Sequence, residues 1–303
     1  MARTHSYSVL DVFAEGPLEG NPLAVFHDAR SLSDEEMQAL ARETNLSETT
    51  FVFPEDAATE ARDGVRVRIF TTQEELPFAG HPTLGTATWL YLNRPALRDA
   101  QRVTLKLNVG PVPVEFEEQR MGVPGLVATM TQKDPKFGEV HDRAEIARVL
   151  GLEAEDLSAE HAPQTVSTGL PFCMVMLRSM EAAGRLRLSP REAQEWAARH
   201  NGEFFYCIAR VGDDEASGAT WHARMQFYGG EDPATGSAAG CCISWLVKAG
   251  LVAADVGVVI EQGIEIGRPS RITVRASREG ERVHSVRVSG RTICVAEGRF
   301  FLP

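Results

Sequence analysis

Two stretches of the chain are apolar at almost every position: HPTLGTATWLYL at 81–92 and GSAAGCCISWLVKAG at 236–250. A helix with no polar face has to be enclosed by protein, so each stretch predicts a buried central helix. Elsewhere the pattern shifts to short β-branched and aromatic runs, many of them alternating apolar with polar. These are TTFVF (49–53), VRVRIF (65–70), RVTLKL (102–107), VPVEF (112–116), FFYCIA (204–209), HARMQF (222–227), RITVRA (271–276) and HSVRVSG (284–290). They predict strands. Two amphipathic helices are expected behind capping boxes, Ser33 to Glu36 and Ser189 to Glu192, with Pro190 at the first helical position of the second. The first would bury Met37, Leu40 and Ala41, and the helices would run out at Asn45 and Asn201. DRAEIARVLG (142–151) predicts a further helix with an Asp cap and a Gly stop.

The pattern repeats. With residue i set beside residue i+156, ten identities fall between positions 32 and 80: Leu32/Leu188, Ser33/Ser189, Glu36/Glu192, Gln38/Gln194, Ala41/Ala197, Asn45/Asn201, Arg68/Arg224, Glu75/Glu231, Pro77/Pro233 and Gly80/Gly236. Chance would give about three at ordinary residue frequencies. The offset is close to half the chain and too long for a solenoid repeat. The strands carry too little helix between them for a doubly wound parallel sheet. The expected fold is therefore α+β: two similar domains related by a pseudo-two-fold axis. Each is a curved, mostly antiparallel sheet wrapped around one central apolar helix. The division is expected at 1–126 and 127–303, with the last strand able to pack back on the first domain.

Composition narrows the function. The 303 residues carry a formal net charge of −11, which argues against a nucleic-acid surface or docking on anionic lipid. No apolar run is long enough to span a bilayer, and MARTHSYSVLDVF lacks the apolar core of a signal peptide. A cytoplasmic protein is expected, with Cys173, Cys207, Cys241, Cys242 and Cys294 as reduced thiols. There is no HExxH, no GxGxxG and no GxxxxGK[ST], and the histidines are scattered, so neither a metal nor a dinucleotide cofactor is expected.

The chemistry lies at the starts of the two apolar helices. A helix start has unpaired N–H groups and a partial positive charge, and a glycine there lets a ligand approach the backbone. Gly80-His81 and Gly236-Ser237 are two such places, and two-fold symmetry would let them face one another and grip a carboxylate. Taken singly, the residues are ordinary. Glu48 fits a strand-end carboxylate, His81 a helix cap, Asp232-Pro233 a turn opening and Ser237 a first-turn serine. Arg68 and Arg224 fit structural ion pairs. Gly263, Gly267 and Pro269 fit a turn, and Gln262 has no evident role.

Taken together, GNPLAVF (20–26), NLSETTFVF (45–53), RIFTTQEELPFAGHPTLGTA (68–87), EDPATGSAAG (231–240) and EQGIEIGRPSRI (261–272) are specific. They resemble the PhzF family, phenazine-biosynthesis-type isomerases with the diaminopimelate epimerase-like fold. The resemblance implies that Glu48 is the acid–base catalyst and that His81, Asp232 and Ser237 are functional positions. It also implies a cofactor-independent isomerase, a homodimer, and a small anionic cyclic carboxylic or amino acid as substrate, trans-2,3-dihydro-3-hydroxyanthranilate in the founding members. Related racemases place a cysteine before each helix-start glycine. Here those positions are Ala79 and Thr235, so inversion between two thiols is not available. A proton shuttle on Glu48 is, provided burial pulls its pKa toward neutrality. A racemase of the same fold and a non-catalytic binding protein are the alternatives.

Overall fold

The computed structural model describes residues 3–98, 100–119, 121–200, 204–212, 218–227 and 230–303. The chain forms two compact units. Residues 1–130 with 289–303 make unit 1, and residues 131–288 make unit 2. The sequence pattern drew its single boundary after residue 126.

In unit 1 the elements run β1 (Arg3–Val12), β2 (Asn21–Phe26), α1 (Asp34–Thr44), β3 (Glu48–Phe53), α2 (Ala57–Asp63), β4 (Val65–Phe70), β5 (Glu75–Leu76), α3 (Gly80–Asn93), β6 (Arg102–Leu107), β7 (Gly110–Phe116) and β8 (Leu126–Thr131). Most neighbouring strands are antiparallel; β2–β3 and β4–β6 are parallel. The end of the chain pairs antiparallel with β1, from Val12↔Thr292 to Arg3↔Leu302. β8 pairs with that same last strand, so the sheet returns on itself. α3 packs on β1, β2, β3, β6 and β7 and is buried from Gly80 to Leu90. Its threonines and glycine are poor helix formers. They are tolerated because Thr83 and Thr88 bond back to the carbonyls of Ala79 and Leu84, and Thr86 pairs with Thr50 at 2.8 Å. Burial supplies the rest, at about 1.5–3 kcal/mol for each large apolar side chain such as Leu84 and Leu90.

Unit 2 contains β9 (Lys136–Val140), α4 (Arg143–Val149), β10 (Gln164–Ser167), β11 (Pro171–Met176), α5 (Met180–Arg185), α6 (Pro190–Arg199), β12 (Phe204–Arg210), β13 (Trp221–Arg224), β14 (Gln226–Phe227), β15 (Gly230–Glu231), α7 (Gly236–Lys248), β16 (Val258–Gln262), β17 (Ser270–Glu279) and β18 (Arg282–Leu302), the strand that continues into unit 1. The sheet runs β9-β10-β11-β12-β13-β16-β17-β18, with β11–β12 and β13–β16 parallel. α7 packs on β17, β11 and β10 and is buried from Gly236 to Val247. Gly240 has a packing reason: a β-carbon there would run into the Gln132 carboxamide. That carboxamide is held in place, donating to the Gly236 carbonyl at 2.9 Å and accepting from the Thr168 hydroxyl at 2.6 Å.

Two local expectations are corrected. Ser33 forms its capping box, but the Ser189 side chain makes no cap hydrogen bond. Pro190 already occupies the first turn, and Glu192 approaches Arg148 at 3.4 Å instead of folding back. HARMQF is not one strand. It breaks at Met225, whose carbonyl accepts from the Asp232 amide. The short helices α2 and α5 carry no periodic apolar face and were not legible. Asn45 caps α1 in the left-handed region; Asn201 lies outside the described residues. Among the described residues no disulfide forms, and Cys173, Cys207, Cys241 and Cys242 are buried. Among the described residues, no helix is long and apolar enough to cross a membrane.

Candidate active site

In unit 1 the left-handed turn at Asn45 ends α1 and starts β3 on Glu48, in parallel register with Leu23 of β2. On the other side, β5 leads through Pro77-Phe-Ala79 into α3. Ala79 is the N-cap and has no side chain to offer the first-turn amides. The fold thus sets Glu48 beside the start of α3. Glu48 Oε2 lies 3.4 Å from His81 Nε2. His81 is only 5% exposed, and its Nε2 makes no hydrogen bond among the described residues. Burial drives its pKa down to about 3, so the imidazole is neutral. A neutral ring against a carboxylate is an arrangement that can pass or share a proton without creating a buried cation. Gly80 and His81 open the same helix turn.

In unit 2 the equivalent lead-in is more heavily bonded. The Asp232 amide donates to the Met225 carbonyl at 3.0 Å, and Asp232 Oδ2 accepts from the Thr235 hydroxyl at 2.5 Å. Thr235 is the N-cap of α7, yet its side chain does not cap; it turns back to Asp232. Gly236 and Ser237 follow in the first turn and are buried. Asp232, Gly236 and Ser237 are therefore gathered at one helix start, as Glu48, Gly80 and His81 are gathered at the other.

Each lead-in is held by the same device. Arg68 makes a two-pronged contact with Glu75, Nε to Oε1 at 2.8 Å and Nη2 to Oε2 at 2.6 Å. Arg224 holds Glu231 with the same atoms at the same distances. The repeat contained this signal: Arg68/Arg224 and Glu75/Glu231 are identities with the same spacing. Both arginines fix a short strand ahead of a helix.

Sequence reasoning missed Gln262, which is fully buried and bonds to Asp232 and Thr235. It also missed His222, enclosed between Glu261 and Glu265 at 3.2 and 2.9 Å. Glu139, His141 and His200, scattered in sequence, bring one candidate ligand atom each within 4.8 Å of one another. Packing accounts for the two rings: His200 stacks on Trp196 at 4.2 Å, and His141 bonds to the Thr165 hydroxyl at 2.7 Å. An open depression of about 800 Å3 along Tyr91, Arg102 and Glu115 holds none of the candidate residues.

A family model for phenazine biosynthesis-like proteins matches residues 10–298. The chain is 39% identical over 301 residues to the trans-2,3-dihydro-3-hydroxyanthranilate isomerase of Pseudomonas aeruginosa, covering 98% of this chain and 100% of that one. Among solved structures it is similar to a phenazine biosynthesis protein of the PhzF family from Bacillus anthracis, with TM-score 0.86, 25% identity, and coverage of 98% and 99%. A predicted epimerase from Pseudomonas aeruginosa superposes with TM-score 0.82 at 38% identity over 98% and 99% of the two chains. Nearly the whole length is matched in each case, and the chain belongs to the PhzF family of phenazine biosynthesis-like proteins.

Proposed function

We propose that this protein is an isomerase that moves a proton within a small cyclic carboxylic or amino acid, with trans-2,3-dihydro-3-hydroxyanthranilate or a close analogue as substrate. The supporting observation is the pairing of Glu48 with a buried, neutral His81 at the uncapped start of α3. In this reading the Glu48 carboxylate takes a proton from an activated ring C–H, and the bonding pair moves into the conjugated system. The resulting carboxylic acid then returns the proton to another ring carbon. Nothing is oxidised or consumed, and Glu48 ends as it began. His81 and Asp232 hold the ring substituents or steady charge on the ring. Ser237 and the first-turn amides at Gly80–His81 and Gly236–Ser237 take the substrate carboxylate, as helix starts do.

We also read the two units as copies of one fold. The ten identities, the helix starts at Gly80 and Gly236, and the paired Arg–Glu contacts support this. The racemase alternative has less support, because the N-cap positions that would carry thiols are Ala79 and Thr235.

General acid–base catalysis is worth about 10²–10⁴-fold, so Glu48→Gln should lose at least that much turnover on trans-2,3-dihydro-3-hydroxyanthranilate while keeping its fold by circular dichroism. Wild-type turnover in this variant would refute the assignment. Proton NMR in D₂O separates the classes. A relocated double bond supports the isomerase; deuterium at an amino-acid α-carbon with racemisation supports the alternative; binding without either leaves a non-catalytic protein.

A further inference from the structure

The motif EQGIEIGRPS carries no reactive group that the proposed chemistry uses, yet it converges on the loop that does. Gln262, the last residue of β16, is fully buried. Its Nε2 donates to the Asp232 carbonyl at 2.8 Å and to the Thr235 hydroxyl at 3.0 Å. Its Oε1 accepts from the Thr235 amide at 3.2 Å and the Tyr206 hydroxyl at 3.1 Å. A carboxamide has two N–H donors and room for two acceptor bonds, so this one is filled. Gly263 comes next at φ +78, where a β-carbon would press to 2.7 Å from the Pro233 carbonyl. Ser270, the register partner of Gln262, sets its hydroxyl 2.8 Å from the same Pro233 carbonyl. Asp232, Pro233 and Thr235 are thus each held by this one motif.

The bonds have a direction. Gln262 Nε2 can only donate, so the Thr235 hydroxyl accepts from it and must send its own proton elsewhere. That proton goes to Asp232 Oδ2. The chain Gln262→Thr235→Asp232 therefore aims the carboxylate and blocks Thr235 from capping α7, which leaves the first-turn amides to a ligand. We infer that Gln262 is a positioning residue for the Asp232–Ser237 set, fixing both the orientation of the Asp232 carboxylate and the loop from which the α7 amides emerge. This rests on the isomerase reading above.

Gln262→Leu removes all four bonds. Displacement of a reactive group by about an ångström costs about 100-fold in rate, and kcat/KM on trans-2,3-dihydro-3-hydroxyanthranilate should fall by that order. Hydrogen exchange should rise in the segment 232–237 and stay unchanged around Glu48 and His81. Gln262→Glu keeps the shape but, when ionised, cannot donate. It should match Gln262→Leu at alkaline pH and regain activity as the pH falls and the acid form supplies one donor. Tyr206→Phe, which spares the loop bonds, should change kcat/KM less than about threefold. If Gln262→Leu does not fold, Gln262→Glu at alkaline pH carries the same exchange and activity test. A folded Gln262 variant with wild-type kcat/KM and unchanged exchange at 232–237 overturns the inference when Glu48→Gln is inactive. Full turnover in Glu48→Gln would instead bring down the proton-transfer reading, and this inference with it.

Discussion

At the start of α3, the groups beside the first turn are a carboxylate and an uncharged imidazole 3.4 Å apart, with an alanine as the cap. At the start of α7, a carboxylate, a hydroxyl and a carboxamide form a chain of directed hydrogen bonds around a threonine cap. The backbone plan is shared: a short strand, a Glu-x-Pro-x-x-Gly lead-in and an apolar helix. What differs is how tightly the side chains are committed. The α3 side leaves its imidazole nitrogen without a hydrogen bond among the described residues, which suits a place where a proton changes hands. The α7 side spends its polar groups on one another, which suits a place that must hold still while a ligand binds. Under the proposed function, the two helix starts divide reaction from recognition.

The largest expected effect separates those roles. Glu48→Gln should lower kcat by about 10²–10⁴-fold, whereas Ser237→Ala should mainly raise KM, by about 10–100-fold, as for a lost hydrogen bond to a charged group. Steady-state kinetics decides; equal losses in kcat would erase the division of labour.

Next come the paired arginines. Arg224 and Glu231 are 4% and 7% exposed, against 18% and 25% for Arg68 and Glu75. Arg224→Met leaves a buried carboxylate with the Gln226 amide but without its cation, and should cost about 3–5 kcal/mol. Arg68→Met leaves Glu75 in reach of water and of the Asn108 amide, and should cost about 1 kcal/mol. Urea unfolding of the two variants measures the gap, and equal costs would mean that burial does not set it.

Two of the buried histidines, His81 and His222, should act on stability with opposite signs. Burial holds His81 down at about 3. Its unfolded counterpart titrates near pH 6.5 and binds the proton first. Stability is therefore lost as pH falls from about 6.5 toward 3. Burial also works against a proton on His222, but its N–H groups donate to the Glu261 and Glu265 carboxylates, which outweigh burial and raise the group to about 9. Its contribution is complete below about pH 6.5 and disappears as pH rises through 9, a change on the order of 3 kcal/mol. Unfolding free energies across pH should show His81→Gln flattening the acid limb and His222→Gln the alkaline limb.

The smallest contrast lies in the helix caps. Ser33→Ala removes a reciprocal box and should cost about 1 kcal/mol. Ser189→Ala removes no cap bond and should leave the melting temperature unchanged.

The division between sequence and structure follows from the range of the interactions. Periodicity was enough for α3 and α7, because a helix apolar on every face leaves burial as its only stable setting. It was enough for most strands and for the Asp142 cap, whose partner Glu145 is three residues away. The repeat put His81 and Ser237 at equivalent helix starts, and the motif resemblance gave Glu48, His81, Asp232 and Ser237 their expected chemistry. EQGIEIGRPSRI was part of that resemblance, but neither it nor the repeat gave Gln262 a role. Its partners are Tyr206, Asp232 and Thr235, and only the register of β16 against β13 and β17 brings them within reach. The same holds for His222 between Glu261 and Glu265, and for the failed box at Ser189. Local pattern determines which segments become helix or strand, because those bonds close within a few residues. Which polar atoms meet in the interior is decided by strand pairing, and that is a property of the folded chain.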